Sequence, residues 1–195
     1  MDQQTRDFYQ MHAEEWAARM PGEWAQELDG FLDLLAPGAA ILELGCGDGR
    51  DAARMIARGF DVDPSDGAPE MARRTSERIG RPVPVMRFDQ LDADADYEAV
   101  WCHASLLHVP LDQLPAILAR IHRALRPGGR HFASFKGGTG GGRDQFGRFY
   151  SYLPEADLRR AYRDSAAWVE FALSTGDGGS FGGEPTVWHA VTARK

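Results

Sequence analysis

At 195 residues, 43% of them hydrophobic, the chain can bury one substantial core and is too short for two ordinary domains. A formal net charge of −7 withholds the basic surface from which nucleic-acid binders draw most of their affinity, so neither DNA nor RNA is an expected partner. The only cysteines, Cys46 and Cys102, lie in short apolar runs and do not make a disulfide framework.

The opening segment, MDQQTRDFYQMHAEEW, is polar and acidic, unlike a secretory leader, and no run is apolar enough to span a bilayer. A cytoplasmic protein with no membrane partner is expected. The six histidines form no HExxH and the cysteines no paired spacing, so no metal is expected. Tyr9, His12 and Trp16 share one helical face. Trp24, Leu28, Phe31 and Leu35 then follow i, i+4, i+7, i+11 until Pro37-Gly38 stops the helix.

Beyond that stop, strands and helices alternate. AAILEL reads as a strand ending in Gly45-Cys46-Gly47-Asp48-Gly49, and RDAARMIARGF as a helix closed by Gly59. FDVDPS is a strand, APEMARRTSERIG a helix closed by Gly80, and VPVMRF and YEAVWCHA are two more strands. LPAILARIHRAL is a helix with Leu114, Ile117, Leu118, Ile121 and Leu125 as its buried stripe, stopped by RPGG ahead of the strand HFASFK. GGTGGGRDQFGR is a glycine-rich loop, followed by the helix PEADLRRAYRD. WVEFALS and TVWHAVTA, joined by GDGGSFGG, suggest an antiparallel hairpin with a mobile connection. Trp101, Trp168 and Trp188 fall in apolar strand runs and are read as core.

This order predicts a single doubly wound α/β domain. Its sheet has seven strands, mostly parallel, with a C-terminal antiparallel hairpin and helices on both faces. Residues 1–36 form an N-terminal helical cover, 37–136 a cofactor-binding core, 137–152 a candidate lid loop, and 153–195 the last helix and hairpin. The lid expectation rests on a connection longer than compact α/β domains use, starting at the carboxyl end of a central strand.

Chemistry concentrates between residues 41 and 72. Glycines at 45, 47 and 49 let the chain turn sharply after a strand and let a ligand approach the backbone. Asp66, 21 positions after Gly45, stands where an acid can accept hydrogen bonds from ribose hydroxyls. A nicotinamide dinucleotide would also use such a loop and acid, but its GxGxxG needs glycine where Arg50 stands. No GxxxxGK[ST] appears, which excludes a phosphate-loop NTPase.

Glu43-Leu-Gly45-Cys-Gly47-Asp-Gly49, followed by Asp66-Gly-Ala-Pro-Glu-Met71, resembles the first two motifs of class I S-adenosylmethionine-dependent methyltransferases. WCHASLLHVP at 101–110, HRALRPGGRHFASFK at 122–136 and the terminal hairpin extend the resemblance over nearly the whole chain. It looks most like the small bacterial enzymes labelled tellurite-resistance-like or methyltransferase-domain proteins. The resemblance implies that Gly45, Cys46 and Gly47 pass beneath the methionine part of S-adenosylmethionine, with Glu43 supporting the loop or binding the amino group. It implies that Asp66, with Gly67 beside it, binds the ribose, and that Met71, Phe88 and Asp89 form the adenine pocket. Cys102 and His103 would border the methionine and sulfonium, and Tyr9 would cover the cofactor from the first helix. Of the acids in FDVDPSD, alignment with Gly-Ala-Pro-Glu-Met selects Asp66 over Asp63 and Asp61.

On the acceptor side, His108 is the candidate catalytic base because imidazole titrates near neutrality; packing between Leu107 and Val109 is its alternative role. Arg148, Tyr150 and Tyr152 follow the glycine-rich loop, where a lid would present them to substrate, though a solvated arginine and two packing tyrosines are the commoner outcome. The expected activity is methyl transfer to a small-molecule acceptor by a monomer or homodimer. The alternatives are a nicotinamide-dependent oxidoreductase and a module that binds S-adenosylmethionine without chemistry.

Overall fold

In the computed structural model, described for residues 1–19 and 25–195, two short helices, α1 (Gln3–Met11) and α2 (Ala13–Arg19), precede α3 (Ala25–Leu32). The expected continuous face is broken: the chain turns at His12, whose ring is exposed and stacks on Phe8 at 4.8 Å. Tyr9 and Trp16 still meet across the break, ring centroids 6.1 Å apart. Trp24 lies outside the described residues.

The core alternates as expected: β1 (Ala40–Leu44), α4 (Arg50–Ala57), β2 (Asp61–Ser65), α5 (Pro69–Ile79), β3 (Tyr97–Cys102), α6 (Leu114–Ala124), β4 (Leu125–Lys136). Gly59 and Gly80 end α4 and α5 at φ of +86° and +73°, a conformation that costs a side-chain-bearing residue strain. After β4 come β5 (Gly141–Arg143), β6 (Phe149–Ser151), α7 (Glu155–Ser165), β7 (Glu170–Gly179) and β8 (Pro185–Arg194).

The main sheet has six strands in the order β2-β1-β3-β4-β8-β7, with β2, β1, β3 and β4 parallel and β8 and β7 antiparallel. The seventh strand expected at VPVMRF is reduced to a single parallel bridge, Asp66 to Val85. Pro82 and Pro84 have no N–H to give, which leaves this segment short of the donors a full ladder uses. RPGG, expected as a stop, is instead an irregularity within β4, where the pairing jumps from Tyr97–Leu125 to Ala99–Arg130. The glycine-rich segment after β4 is also not a structureless loop. β5 and β6 pair as a small hairpin whose turn is tied by Asp144, Oδ1 accepting from the backbone N–H groups of Phe146 and Arg148. Gly176 to Gly179, expected as mobile, pair with Trp188 to Pro185 and lengthen the β7–β8 ribbon.

Period-two alternation sends successive strand residues to opposite faces. Ile41, Ala99, Trp101 and Phe132 pack with Leu28, Phe31, Ala52 and Met55 of α3 and α4. Leu42, Val100, Cys102 and Ala133 pack with the α6 stripe and with Leu158 and Tyr162 of α7. Trp101 is fully buried and stacked on Phe132 at 4.0 Å, whereas Trp168 and Trp188 are only half-buried against the second core. Both cysteines are free and buried. Among the described residues no helix is long and apolar enough to cross a membrane, and no His, Cys, Asp or Glu cluster could hold a metal.

Candidate active site

From β1 the chain crosses to β2 on one side and later to β3 on the other, so the turns leaving β1 and β3 lie side by side at the carboxyl edge. Gly45, Gly47 and Gly49 all take positive φ, +83°, +57° and +79°. A Cβ on Gly45 would stand 2.5 Å from that of Ser105, whose hydroxyl donates to the Leu44 carbonyl at 2.7 Å. That close approach fixes the glycine at 45. Ala104, next to it, holds an unusual φ of +47° and donates its N–H to Ser134 Oγ at 2.8 Å.

Between these turns opens a cavity of about 300 Å³, at the small end of the roughly 300–1,000 Å³ typical of small-molecule sites. Tyr9, Glu43, Gly45, Cys46, Gly47, Asp66, Gly67, Met71, Phe88, His103 and His108 all line it. Two expected members do not. Asp89 is exposed and pairs with Arg87 at 3.0 Å. Cys102 is fully buried, because strand alternation turns it into the α6–α7 core and leaves the next residue, His103, to face the cavity.

The wall is acidic. Asp66 accepts from the N–H groups of Gly47 at 3.0 Å and Ala68 at 2.8 Å; burial nevertheless pushes its carboxyl up to about 6. Glu43, buried and facing the negative charges of Asp51, Asp66 and Asp48, is raised well above the ordinary carboxylate range, and its Oε2 has no hydrogen-bond partner. Burial also acts to raise Asp51. The hydrogen bond and charge of His103 and the 2.8 Å bond from Trp101 Nε1 outweigh it and hold Asp51 low. Arg50, also on the wall, is bound to Asp48 at 3.0 Å and to the Ala17 carbonyl. Burial raises the Cys46 thiol far above its usual range, so it is a packing group here and not a nucleophile.

At the other end, His108 is 3% exposed. Its Nδ1 lies 2.6 Å from the Phe149 carbonyl, which can only accept, so Nδ1 carries the proton and Nε2 takes the Tyr9 hydroxyl hydrogen at 2.8 Å. Burial, with the Arg148 and Lys136 charges, pulls His108 down to about 3, so the ring is neutral.

Met1, Asp48, Asp51, Arg54, Ala104 and Ser105 also line the cavity but went unread in the sequence. Asp48 lies inside the glycine loop and Asp51 on the α4 turn just after it, signals within reach; Met1, Arg54, Ala104 and Ser105 arrive by tertiary approach.

Residues 41–129 match the family model described as a methyltransferase domain. The ubiquinone biosynthesis O-methyltransferase of Xanthomonas oryzae pv. oryzae is 32% identical over 110 residues, covering 53% of this chain and 44% of that protein. The chain spans less than half the length of the curated relatives it matches, 31% and 44% for two of them. Among solved structures, the 1,6-didemethyltoxoflavin-N1-methyltransferase of Burkholderia thailandensis superposes with a TM-score of 0.73 at 25% identity, covering 97% of this chain and 84% of that one. The magnesium protoporphyrin IX methyltransferase of Synechocystis PCC 6803 does so with a TM-score of 0.70 at 20% identity, covering 100% and 98%. The matched segment spans the glycine loop and Asp66, and the sheet order that brings them together gives the chain the α/β fold of these solved methyltransferases.

Proposed function

We propose that the chain transfers a methyl group from S-adenosylmethionine to a small-molecule acceptor. Glu43 carries this assignment: with a buried Oε2 that has no hydrogen-bond partner, it lines a cavity whose wall also holds Asp48, Asp51 and Asp66. A buried acceptor without a partner costs about 1–3 kcal/mol and calls for a donor, here the ammonium of the methionine part. The positive sulfonium suits the same acidic wall. The anionic pyrophosphate of a nicotinamide dinucleotide would have to lie against these carboxylates, which disfavours the oxidoreductase alternative.

In this assignment Asp66 binds the ribose, the Gly45–Gly47 turn runs beneath the methionine part, and Met71 and Phe88 enclose the adenine. Tyr9 and Trp16 close the cavity from α1 and α2. The cofactor supplies an already activated methyl group, so the chain has to align the acceptor and exclude water. His108 contributes a neutral Nε2 acceptor in place of the Tyr9 contact. With its basicity lowered to about 3, it is too weak to strip an alcohol at neutral pH. The site therefore suits an acceptor that arrives anionic or attacks through a free lone pair.

The segments 101–110 and 122–136 support the small bacterial, tellurite-resistance-like subtype within the family. Free buried thiols at Cys46 and Cys102 are in keeping with a reducing compartment such as the cytoplasm. The test is incubation with methyl-labelled S-adenosylmethionine and fractionated cell metabolites. A labelled product that appears only with the protein is expected; cofactor binding with no labelled product in any fraction would instead establish a non-catalytic binding module.

A further inference from the structure

Next to the Tyr9–His108 pair gathers a second group of buried polar side chains, outside the residues that line the cofactor cavity. Lys136, the last residue of β4, is 6% exposed there, and Arg148, just ahead of β6, is 2% exposed. Both cations rest against the same ring: the Lys136 ammonium is 3.9 Å and the Arg148 guanidinium carbon 5.3 Å from the Tyr150 centroid. His108 packs on that ring at 4.6 Å, and the Tyr9 and Tyr150 hydroxyls act on each other and on Arg148. Four segments distant in sequence thus direct polar ends to one place beside the cofactor cavity.

The charges there do not cancel. Arg148 holds Asp144 Oδ2 through Nε at 2.9 Å and Nη2 at 2.6 Å. Among the described residues Lys136 has no carboxylate at ion-pair distance; Asp144 and Glu184 act on it from farther away, and Arg148 repels it. A buried ammonium facing a second cation is costly unless an anion joins it, and one aromatic face offsets only part of that cost.

We propose that this cluster forms the acceptor site, and that the acceptor is an aromatic compound presenting an anionic oxygen, carboxylate or phenolate, which pairs with Lys136 and accepts from the Tyr9 and Tyr150 hydroxyls. The rings of Phe8, Tyr9 and Tyr150 converge here, each within 5.9 Å of the Arg148 guanidinium carbon, and an oxygen already ionised needs no base from His108. The role as acceptor site rests on the methyltransferase assignment; the binding of an anion does not.

The experiment titrates benzoate and 4-nitrophenolate, each beside a neutral counterpart, benzamide and 4-nitroanisole, into the protein with and without S-adenosylhomocysteine. Wild type should bind at least one anion about tenfold or more tightly than its counterpart. Benzoate preference marks a carboxylate source and 4-nitrophenolate preference a phenolate. Lys136→Met should abolish the preference and Lys136→Arg keep it, with S-adenosylhomocysteine affinity within about threefold of wild type in both. Because a buried substitution can unfold the chain, ¹⁵N spectra of wild-type lysine ammonium groups give a second readout, in which the preferred anion and not its counterpart shifts one resonance. No preference for either anion, no such shift, or a preference surviving Lys136→Met would overturn the proposal. Anion preference in a protein that binds no S-adenosylhomocysteine would uphold the site and overturn the methyltransferase assignment.

Discussion

Replacing Asp66 by Asn separates what this residue does for the fold from what it does for the cofactor. In the free protein burial raises Asp66 from 3.8 to about 6, so keeping it ionised at pH 8 costs about 3 kcal/mol, which Asn relieves. Against that gain, the carboxamide can accept through only one oxygen. One of the N–H groups of Gly47 and Ala68, now bonded at 3.0 and 2.8 Å, then faces an NH₂, a loss of about 1–3 kcal/mol. The two effects oppose, and urea unfolding should place Asp66→Asn within about 2 kcal/mol of wild type. Binding has no such offset. Losing one charge-assisted bond to a ribose hydroxyl removes about 2–3 kcal/mol, a weakening of about 30- to 150-fold for S-adenosylhomocysteine by calorimetry. An affinity within threefold of wild type, in a variant as stable as wild type, would make Asp66 a structural tie of the loop and not a ribose ligand.

Two further consequences follow from the same geometry. Gly45→Ala puts a Cβ 2.5 Å from that of Ser105 at φ +83°, so left-handed strain and overpacking together should cost about 2–5 kcal/mol in urea unfolding; a change below about 0.5 kcal/mol would contradict the described turn. Because the ribose needs the ionised Asp66, the contribution of this group to S-adenosylhomocysteine affinity should be flat above about pH 6 and fall about tenfold per pH unit below it. In stability the sign is opposite: the folded value lies above the unfolded 3.8, so this group's contribution grows as pH falls from about 6 toward 4. Calorimetry from pH 5 to 8 showing constant affinity would refute the linkage.

Much of the sheet was legible because β1, α4 and α5 are short, strongly patterned and followed by Gly45, Gly59 and Gly80, whose φ is positive. What misled was composition. Pro82 and Pro84 sit in a run that looks apolar enough for a strand, and Gly176 to Gly179 read as a loop although the ladder with β8 holds them extended. The break at His12 is likewise invisible to helical spacing alone. At the site, the glycine loop and Asp66 were readable from type and interval, while Ser105 and Ala104 reach the cavity only through the neighbouring turn after β3. Cys102 was misplaced next to His103 because a strand end shows one residue to the site and hides the next. Arg148, with a solvated arginine as its commoner role, is instead enclosed by Phe8, Phe146 and Phe181 from three separate segments.

The central claim, that the acidic cavity between the β1 and β3 turns is an S-adenosylmethionine site, is tested most directly by calorimetry of the wild-type chain at pH 8 with S-adenosylmethionine, S-adenosylhomocysteine and NAD. One site per chain for both adenosyl compounds and no heat with NAD is the predicted result. Tight NAD binding with no response to either adenosyl compound would contradict it.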